Sequence, residues 1–251
     1  MLAPEGHDVA LVRAANPSPL TLTGTNTWVL GRDPAWVIDP GPDLEAHIDA
    51  VVAEVERRGG AGGIAITHDH VDHVVAVPAL RERLGRPPVA AARHPADVAL
   101  ADGERFGPLR ALAVPGHADD HLVLVAGRIA FTGDAVLGQG SVFVQNRLRE
   151  YLDGLGRLRA LDPVLLCPGH GDPVADPRAR LDELIAHRAE RESGLVAALE
   201  RGLRTEDELL DAAWADAPAA LRPAAALSLA AHLGKLREEG RLPAGLVADV
   251  E

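Results

Sequence analysis

Thr67 to His73, THDHVDH, sets the strongest limit on what this chain can become: three histidines and two aspartates follow the apolar run GGIAI without a break. The chain has only eleven histidines in all. In an extended segment, residues two apart face the same side, so the imidazoles of His68 and His70 can reach one metal ion. Asp72 and His73 stand where the apolar spacing of Val74, Val75, Val77 and Leu80 predicts a helix, and they offer a second ligand set beside the first. A polar turn capping that helix is the plainer reading, but it leaves the concentration of imidazoles unexplained.

Other apolar segments end in the same way. His117 closes LRALAVPGH, Asp134 closes RIAFTGD and His170 closes DPVLLCPGH. A single Pro-Gly-His is ordinary turn chemistry, whereas four strand ends delivering ligands to loops at one edge of a core form a metal-site pattern. TNTWVLG and AWVIDPGP read as a hairpin across Gly31 to Pro34, and HLVLVAG with RIAFTGD as another. Helical spacing covers 44–58, 74–84 and 151–161. Hairpins mixed with helices predict two mixed sheets packed together with helices outside, an α/β (α+β) architecture.

From 178 to 201 the pattern is one long helix ended by Gly202. Beyond it, Thr205 and Glu208 have capping-box spacing, Pro218 interrupts, and a helical segment closes at Gly240, followed by a short terminal remnant. This places a domain boundary between 193 and 202, with a hydrolase-sized unit over 1–193 and a small one over 194–251. From Leu195 to Glu251 six basic residues face ten acidic ones, a net charge of −4. That sign opposes phosphate contact, so no stable binding of duplex DNA is expected and Leu227, Leu233 and Leu236 are assigned to internal packing.

Composition narrows the function classes. With 47% hydrophobic residues in 251, the chain buries a substantial core, yet no apolar run approaches the roughly 18 residues of a membrane span. The N-terminal stretch lacks a basic segment followed by an apolar one, so cytoplasm is the default and no membrane contact is expected. The single cysteine, Cys167, excludes an intramolecular disulfide and sits in an apolar run as an inert buried thiol. A net charge of −12 argues against a general nucleic-acid binder, although a nuclease needs only a local basic patch.

The ligand order His-x-His-x-Asp-His, then His, Asp and His resembles that of the metallo-β-lactamase superfamily. The resemblance covers about 9–190 and implies a four-layer αββα sandwich with the site at one edge. It assigns His68, His70 and His117 to one metal, Asp72, His73 and His170 to a second, and Asp134 to both as a bridge. NPSPLTLTGTNTWVLG, PGHADDHLVL, FTGDAVLGQGSVFV, PGHGDPV and HRAERE are similar to the β-lactamase-like protein 2 branch, which carries a small C-terminal winged-helix domain. Known members of that branch include a single-strand-directed endoribonuclease, and others are described only as metal-dependent hydrolases. The same resemblance makes Asp39 a brace for the metal loops.

Mixed imidazole and carboxylate ligands suit two zinc ions per chain, with manganese or iron as alternatives. Such a pair supplies a hydroxide nucleophile at neutral pH, so hydrolysis is the expected reaction and no protein nucleophile is required. Asp72 and Asp134 are the catalytic carboxylates on this reading. His121, four residues after His117 and placed at the cleft rim, is the candidate proton donor to the leaving group, with a turn-stabilising role as the alternative. The expected substrates are a phosphodiester such as single-stranded RNA or a small-molecule ester, with thioesters and lactones as the alternative and a metal-sensing regulator as a third reading. Only 35 residues separate Asp134 from His170, which leaves no room for a large inserted RNA clamp. Asp69 is expected to face away from the ligands, His7, His47 and His94 to lie on the surface, and Thr25 and Asn26 to line the cleft or a polar strand edge.

Overall fold

The computed structural model describes residues 8–242. Its first sheet has six strands in chain order: β1 (Val9–Arg13), β2 (Asn26–Leu30), β3 (Ala35–Ile38), β4 (Ala61–Ala65), β5 (Val89–Ala91) and β6 (Val98–Ala99). The predicted hairpin is β2 with β3, antiparallel with Trp28 opposite Ile38, while β3 to β6 run parallel. The second sheet holds β7 (Arg105–Phe106), β8 (Leu109–Ala113), β9 (Leu122–Ala126), β10 (Ile129–Gly133) and β11 (Leu165–Pro168). Strands β1, β5, β6 and β7 are short or follow turn-rich stretches, and alternation over two to five residues carries too little signal to find them.

Three apolar layers hold the sandwich together. Helix α1 (Glu45–Arg57) turns Ile48, Val51, Val52 and Val55, spaced three and four apart, onto one face of the first sheet against Val29, Val37 and Ile64. Trp28, Ile38, Phe106, Leu124 and Phe131 fill the space between the sheets. Helix α4 (Leu148–Ala160) covers the outer face of the second sheet with Leu148, Tyr151, Leu155 and Leu158. The four-layer αββα sandwich that the resemblance implies is the architecture observed. Fully burying each such aliphatic side chain contributes about 1.5–3 kcal/mol.

One predicted helix is broken. In place of a single helix over 74–84 there are α2 (Val71–Val74) and α3 (Val77–Arg83). Pro78 sits in the first turn of α3, and a proline there has no N–H to give the carbonyl four residues back, so the first helix stops. The short α2 begins directly after His70 and carries Asp72 and His73.

Helix α5 (Pro177–Glu200) starts with an Asp176 cap, whose carboxylate accepts the Ala179 N–H at 3.0 Å, and runs unbroken through Ser193. The boundary expected at 193 thus falls inside a helix that both units share. Its last turns, Leu195, Ala198 and Leu199, form the floor of the C-terminal unit with α6 (Glu206–Ala213), Trp214 and α7 (Arg222–Glu238). The capping box of Thr205 and Glu208 is present at the start of α6. Leu233 and Leu236 are buried as expected, but Leu227 is 46% exposed and Leu229 takes the inward position, because that helix turns its 229–233–236 face to the packing. The terminal remnant beyond 242, like His7, lies outside the described residues.

Candidate metal centre

Strands β8, β10 and β11 are mutually parallel, as are β3 and β4, so their C-terminal ends meet along one edge of the sandwich. Asp39 leaves β3, His68 to His73 follow β4, His117 follows β8, Asp134 follows β10 and His170 follows β11. Two clusters result, His68 with His70 and His117, and Asp72 with His73 and His170, each with its ligand atoms within 4.8 Å of one another. Asp134 stands between them: its Oδ2 is 3.5 Å from His117 Nε2 and 3.3 Å from His170 Nε2, and its Oδ1 is 3.6 Å from His73 Nε2.

Hydrogen bonding decides which imidazole nitrogen is bare. His73 Nδ1 lies 2.9 Å from the Asp39 carboxylate, so Nδ1 carries a proton and Nε2 is the nitrogen left to meet an ion. Thr67 Oγ1 donates to Asp39 Oδ2 at 2.7 Å and therefore accepts from His68 Nδ1 at 3.0 Å. Carbonyl oxygens of Phe143 and Gly24 accept from Nδ1 of His117 (3.3 Å) and His170 (3.4 Å). Four rings thus turn Nε2 toward the cluster, the arrangement that outer partners impose on metal-bound histidines. His68 Nε2, His73 Nε2 and Asp134 Oδ1 are buried without any hydrogen-bond partner. Buried orphans of this kind cost about 1–3 kcal/mol each, and a bound cation would satisfy all three. The residues present fit a divalent metal site.

Charge tells the same story. Burial disfavours a positive charge on His73, but Asp134 and Asp39 outweigh it and push its pKa well above the ordinary histidine value. His170 is raised to about 9 against its own burial by hydrogen bonds to Asp134 and Asp72. Asp72 is held down to about 2: burial opposes this, but the His170 hydrogen bond, His73 and the Thr25 hydroxyl prevail. Burial drives His68 well below its usual range. The centre attracts positive charge between the two clusters.

The surrounding residues settle several expectations. Asp39 accepts from Thr67 N (2.8 Å), Thr67 Oγ1 and His73 Nδ1, which uses both oxygens and makes it a brace between the β3 and β4 loops. It does so from a left-handed backbone, φ 52°, an unusual conformation for a non-glycine residue at a site whose surroundings hold it there. Thr25 donates to Asp72 at 2.9 Å, and Asn26 holds the Pro168 and Gly171 carbonyls at 3.0 and 2.8 Å, so TGTNT supports the PGH loop. Asp69 is exposed and pairs with His94 at 3.0 Å. His47, expected on the surface, is buried: Thr27 Oγ1 and the Pro40 carbonyl lie 2.9 and 3.1 Å from its Nε2. An amphipathic helix placed it inward, at a position one turn before Val51. Cys167 is fully buried and burial raises its thiol pKa, as an inert thiol requires.

His121 differs most from its expected place. It lies beneath the ligands rather than at the rim, 1% exposed, with its ring stacked on His68 at 4.8 Å. Its Nε2 accepts the Asp134 backbone N–H at 3.0 Å, so the proton sits on Nδ1, which has no partner. Gly169, passed over in the sequence as turn chemistry, is part of the site. A Cβ there would stand 2.4 Å from Asp134 Oδ1 and 2.7 Å from His73 Cε1.

Comparison with known proteins agrees with this geometry. A β-lactamase-like protein 2 homolog of Drosophila melanogaster is 30% identical over 97% of this chain and 92% of its own length. The chain belongs to the metallo-β-lactamase superfamily, in its β-lactamase-like protein 2 branch. The Beta-lactamase associated winged helix domain family matches residues 205–243, so the C-terminal unit is a winged helix. An atrochrysone carboxyl ACP thioesterase of Aspergillus chevalieri is 35% identical over 76% of this chain and 65% of its own. Among solved structures, a metallo-β-lactamase family protein of Thermus thermophilus superposes with a TM-score of 0.66 at 26% identity, covering 93% of this chain and 94% of that one. The chain is a metal-dependent hydrolase of this superfamily. No helix among the described residues is long and apolar enough to cross a membrane.

Proposed function

We propose that this chain hydrolyses a small carboxylic ester or thioester at a binuclear zinc centre held by His68, His70, His117, Asp72, His73 and His170, with Asp134 shared between the ions. The observation that carries the substrate class is the cleft beside the ligands. It is a cavity of about 260 Å³ whose wall includes His70, His117 and Gln145, with Arg93 as its cation against Asp69, Asp119 and Asp120. A wall with more acid than base repels a polyanion and accepts a compact, weakly charged acyl group. The thioesterase name of the Aspergillus relative supports the acyl reading. Single-stranded RNA, favoured by the branch resemblance, would meet Arg93 as the one Lys or Arg among the described residues of this cleft wall. In the winged-helix unit Arg222 is paired with Asp207 and Asp211, and Lys235 and Arg241 with Glu192 and Glu239, so three of its six cations are occupied, which together with its net charge of −4 disfavours duplex DNA.

When bound, the two ions supply a water nucleophile at neutral pH and polarise the scissile carbonyl. The chain's residues do the rest. Asp39 and Thr67 fix the rings of His73 and His68, and Asp134 spans the two clusters from a backbone that His121 holds. On this geometry His121 is a positioning residue and not the proton donor. His121→Ala is expected to weaken metal binding about tenfold, within the range of other outer partners, and to slow activated nitrophenyl esters and unactivated esters by equal factors. A loss confined to unactivated substrates, with metal content unchanged, would restore the acid role.

The substrate class is tested with zinc-loaded protein against short acyl thioesters, nitrophenyl esters, lactones, bis-nitrophenyl phosphate and single-stranded RNA. Acyl substrates should give kcat/KM at least a hundredfold above either phosphodiester, on the order of 3 kcal/mol in barrier at 1.36 kcal/mol per decade. Faster cleavage of RNA than of any acyl substrate would overturn the proposal.

A further inference from the structure

The segment between β10 and α4, residues 134–147, has no helix or strand of its own, so its carbonyls need partners from elsewhere. Helix α5 supplies them. Arg180 donates to the carbonyls of Leu137, at 3.3 Å, and Gly140. Two turns further on, Arg188 donates to the Val142 carbonyl at 2.6 Å and to Ser141 Oγ at 2.9 Å. Arg188 belongs to the HRAERE stretch and is only 4% exposed. A second nitrogen, Nη1, donates to Ser228 Oγ on α7 at 2.9 Å. Burial lowers its pKa, and no carboxylate is among the groups acting on it, so hydroxyls and a carbonyl alone hold this cation in place.

The supported loop goes on to the metal cluster. Immediately after Val142, the Phe143 carbonyl accepts the proton of His117 Nδ1 at 3.3 Å, and two residues later Gln145 N donates to the Gly116 carbonyl at 3.0 Å. The first contact sets the His117 tautomer and ring direction. The second ties down the glycine before it. Hydrogen bonds therefore join Ser228 of the winged helix through Arg188 to the 141–142 backbone, and that loop, one residue further on, holds His117. The rest of HRAERE clamps the same unit independently: Arg191 pairs with Asp216 at 2.5 Å, and Glu192 with Lys235 at 2.7 Å.

We propose that Arg188 is a positioning residue for the metal ligand His117, held in register by Ser228, so that the winged-helix unit serves as part of the scaffold of the metal centre. This rests on the reading of His117 as a ligand. It accounts for a winged helix with an acidic balance, and for an arginine buried without an acid partner. A guanidinium is needed because its planar fork reaches α7 on one side and the loop on the other, which a lysine ammonium cannot do.

The test uses the full-length protein, with zinc affinity measured by competition with a chromophoric chelator and ligand geometry read from the absorption of the cobalt(II)-loaded protein. Arg188→Lys is expected to weaken one of the two ions about tenfold, the low end of the effect of losing an outer partner, and to shift the cobalt bands. Ser228→Ala should act in the same direction by about threefold, as loss of one hydrogen bond would, and carries the test if Arg188→Lys does not fold. Asp216→Ala, which loosens the same unit without touching the loop, should leave affinity and bands as they are. His117→Ala is the control on the underlying reading. If it keeps both ions at full affinity, His117 is not a ligand and the reading of the centre fails. If it loses an ion while Arg188→Lys and Ser228→Ala both keep wild-type affinity and bands, the positioning role is overturned. Equal losses in Arg188→Lys and Asp216→Ala would also overturn it, since they would mean general loosening, and an effect of Arg188→Lys without one of Ser228→Ala would remove α7 from the path.

Discussion

Asp134→Ala is expected to lower ester turnover by about 10³-fold, roughly 4 kcal/mol of barrier at 1.36 kcal/mol per decade, and to leave the purified protein with fewer than two metal ions per chain. The carboxylate approaches His117 and His170 with one oxygen and His73 with the other, so its removal strips both clusters of the charge they share. It is also the stronger of the two charges that keep His73 above its usual pKa against burial. Asp134→Asn separates charge from shape: it keeps the size and backbone contacts and should lose nearly as much. Metal content by elemental analysis and kcat on a nitrophenyl ester are the measurements. Two ions and wild-type turnover in either variant would remove Asp134 from the bridge.

The second large effect comes from a single methyl group. Gly169→Ala places a carbon 2.4 Å from Asp134 Oδ1 and 2.7 Å from the His73 ring, both buried and held on other sides, so the ligands themselves must move. Metal affinity is expected to fall about a hundredfold, the upper end of what displaced outer partners cause, with about 1–3 kcal/mol of overpacking strain on the fold. Gly156→Ala is the matched control. It lies on the exposed face of α4 with nothing within 4 Å of the added carbon, and should stabilise the helix by roughly 0.5–1 kcal/mol. Metal titration and thermal unfolding of the two variants distinguish a filled site from a generic glycine effect. Full metal affinity in Gly169→Ala would show that the ligand loops yield where the packing says they cannot.

The sequence by itself determined the residue types of the site, the sandwich and the long helix that links its two units. Residues two apart on an extended chain and strands ending in His or Asp are local patterns, and apolar spacing of two or of three and four is written along the chain. The capping box of Thr205 and Glu208 was legible for the same reason, since all its contacts lie within four residues. Only the tertiary structure decided what each polar residue does. His121 looked like a rim residue because it follows a turn, yet the register of β8 against β9 carries it under His68, where the Asp134 N–H claims its free nitrogen. His47 looked exposed until Thr27 and Pro40 closed over it. Gly169 gained its importance from neighbours 35 and 96 positions away, Asp134 and His73. The partners of Arg188 lie 40 and 46 residues off in opposite directions. Periodicity reports which side of an element a residue faces. Which lone pair meets which proton depends on how elements distant in sequence are brought together, and at this metal centre that pairing fixes the tautomers.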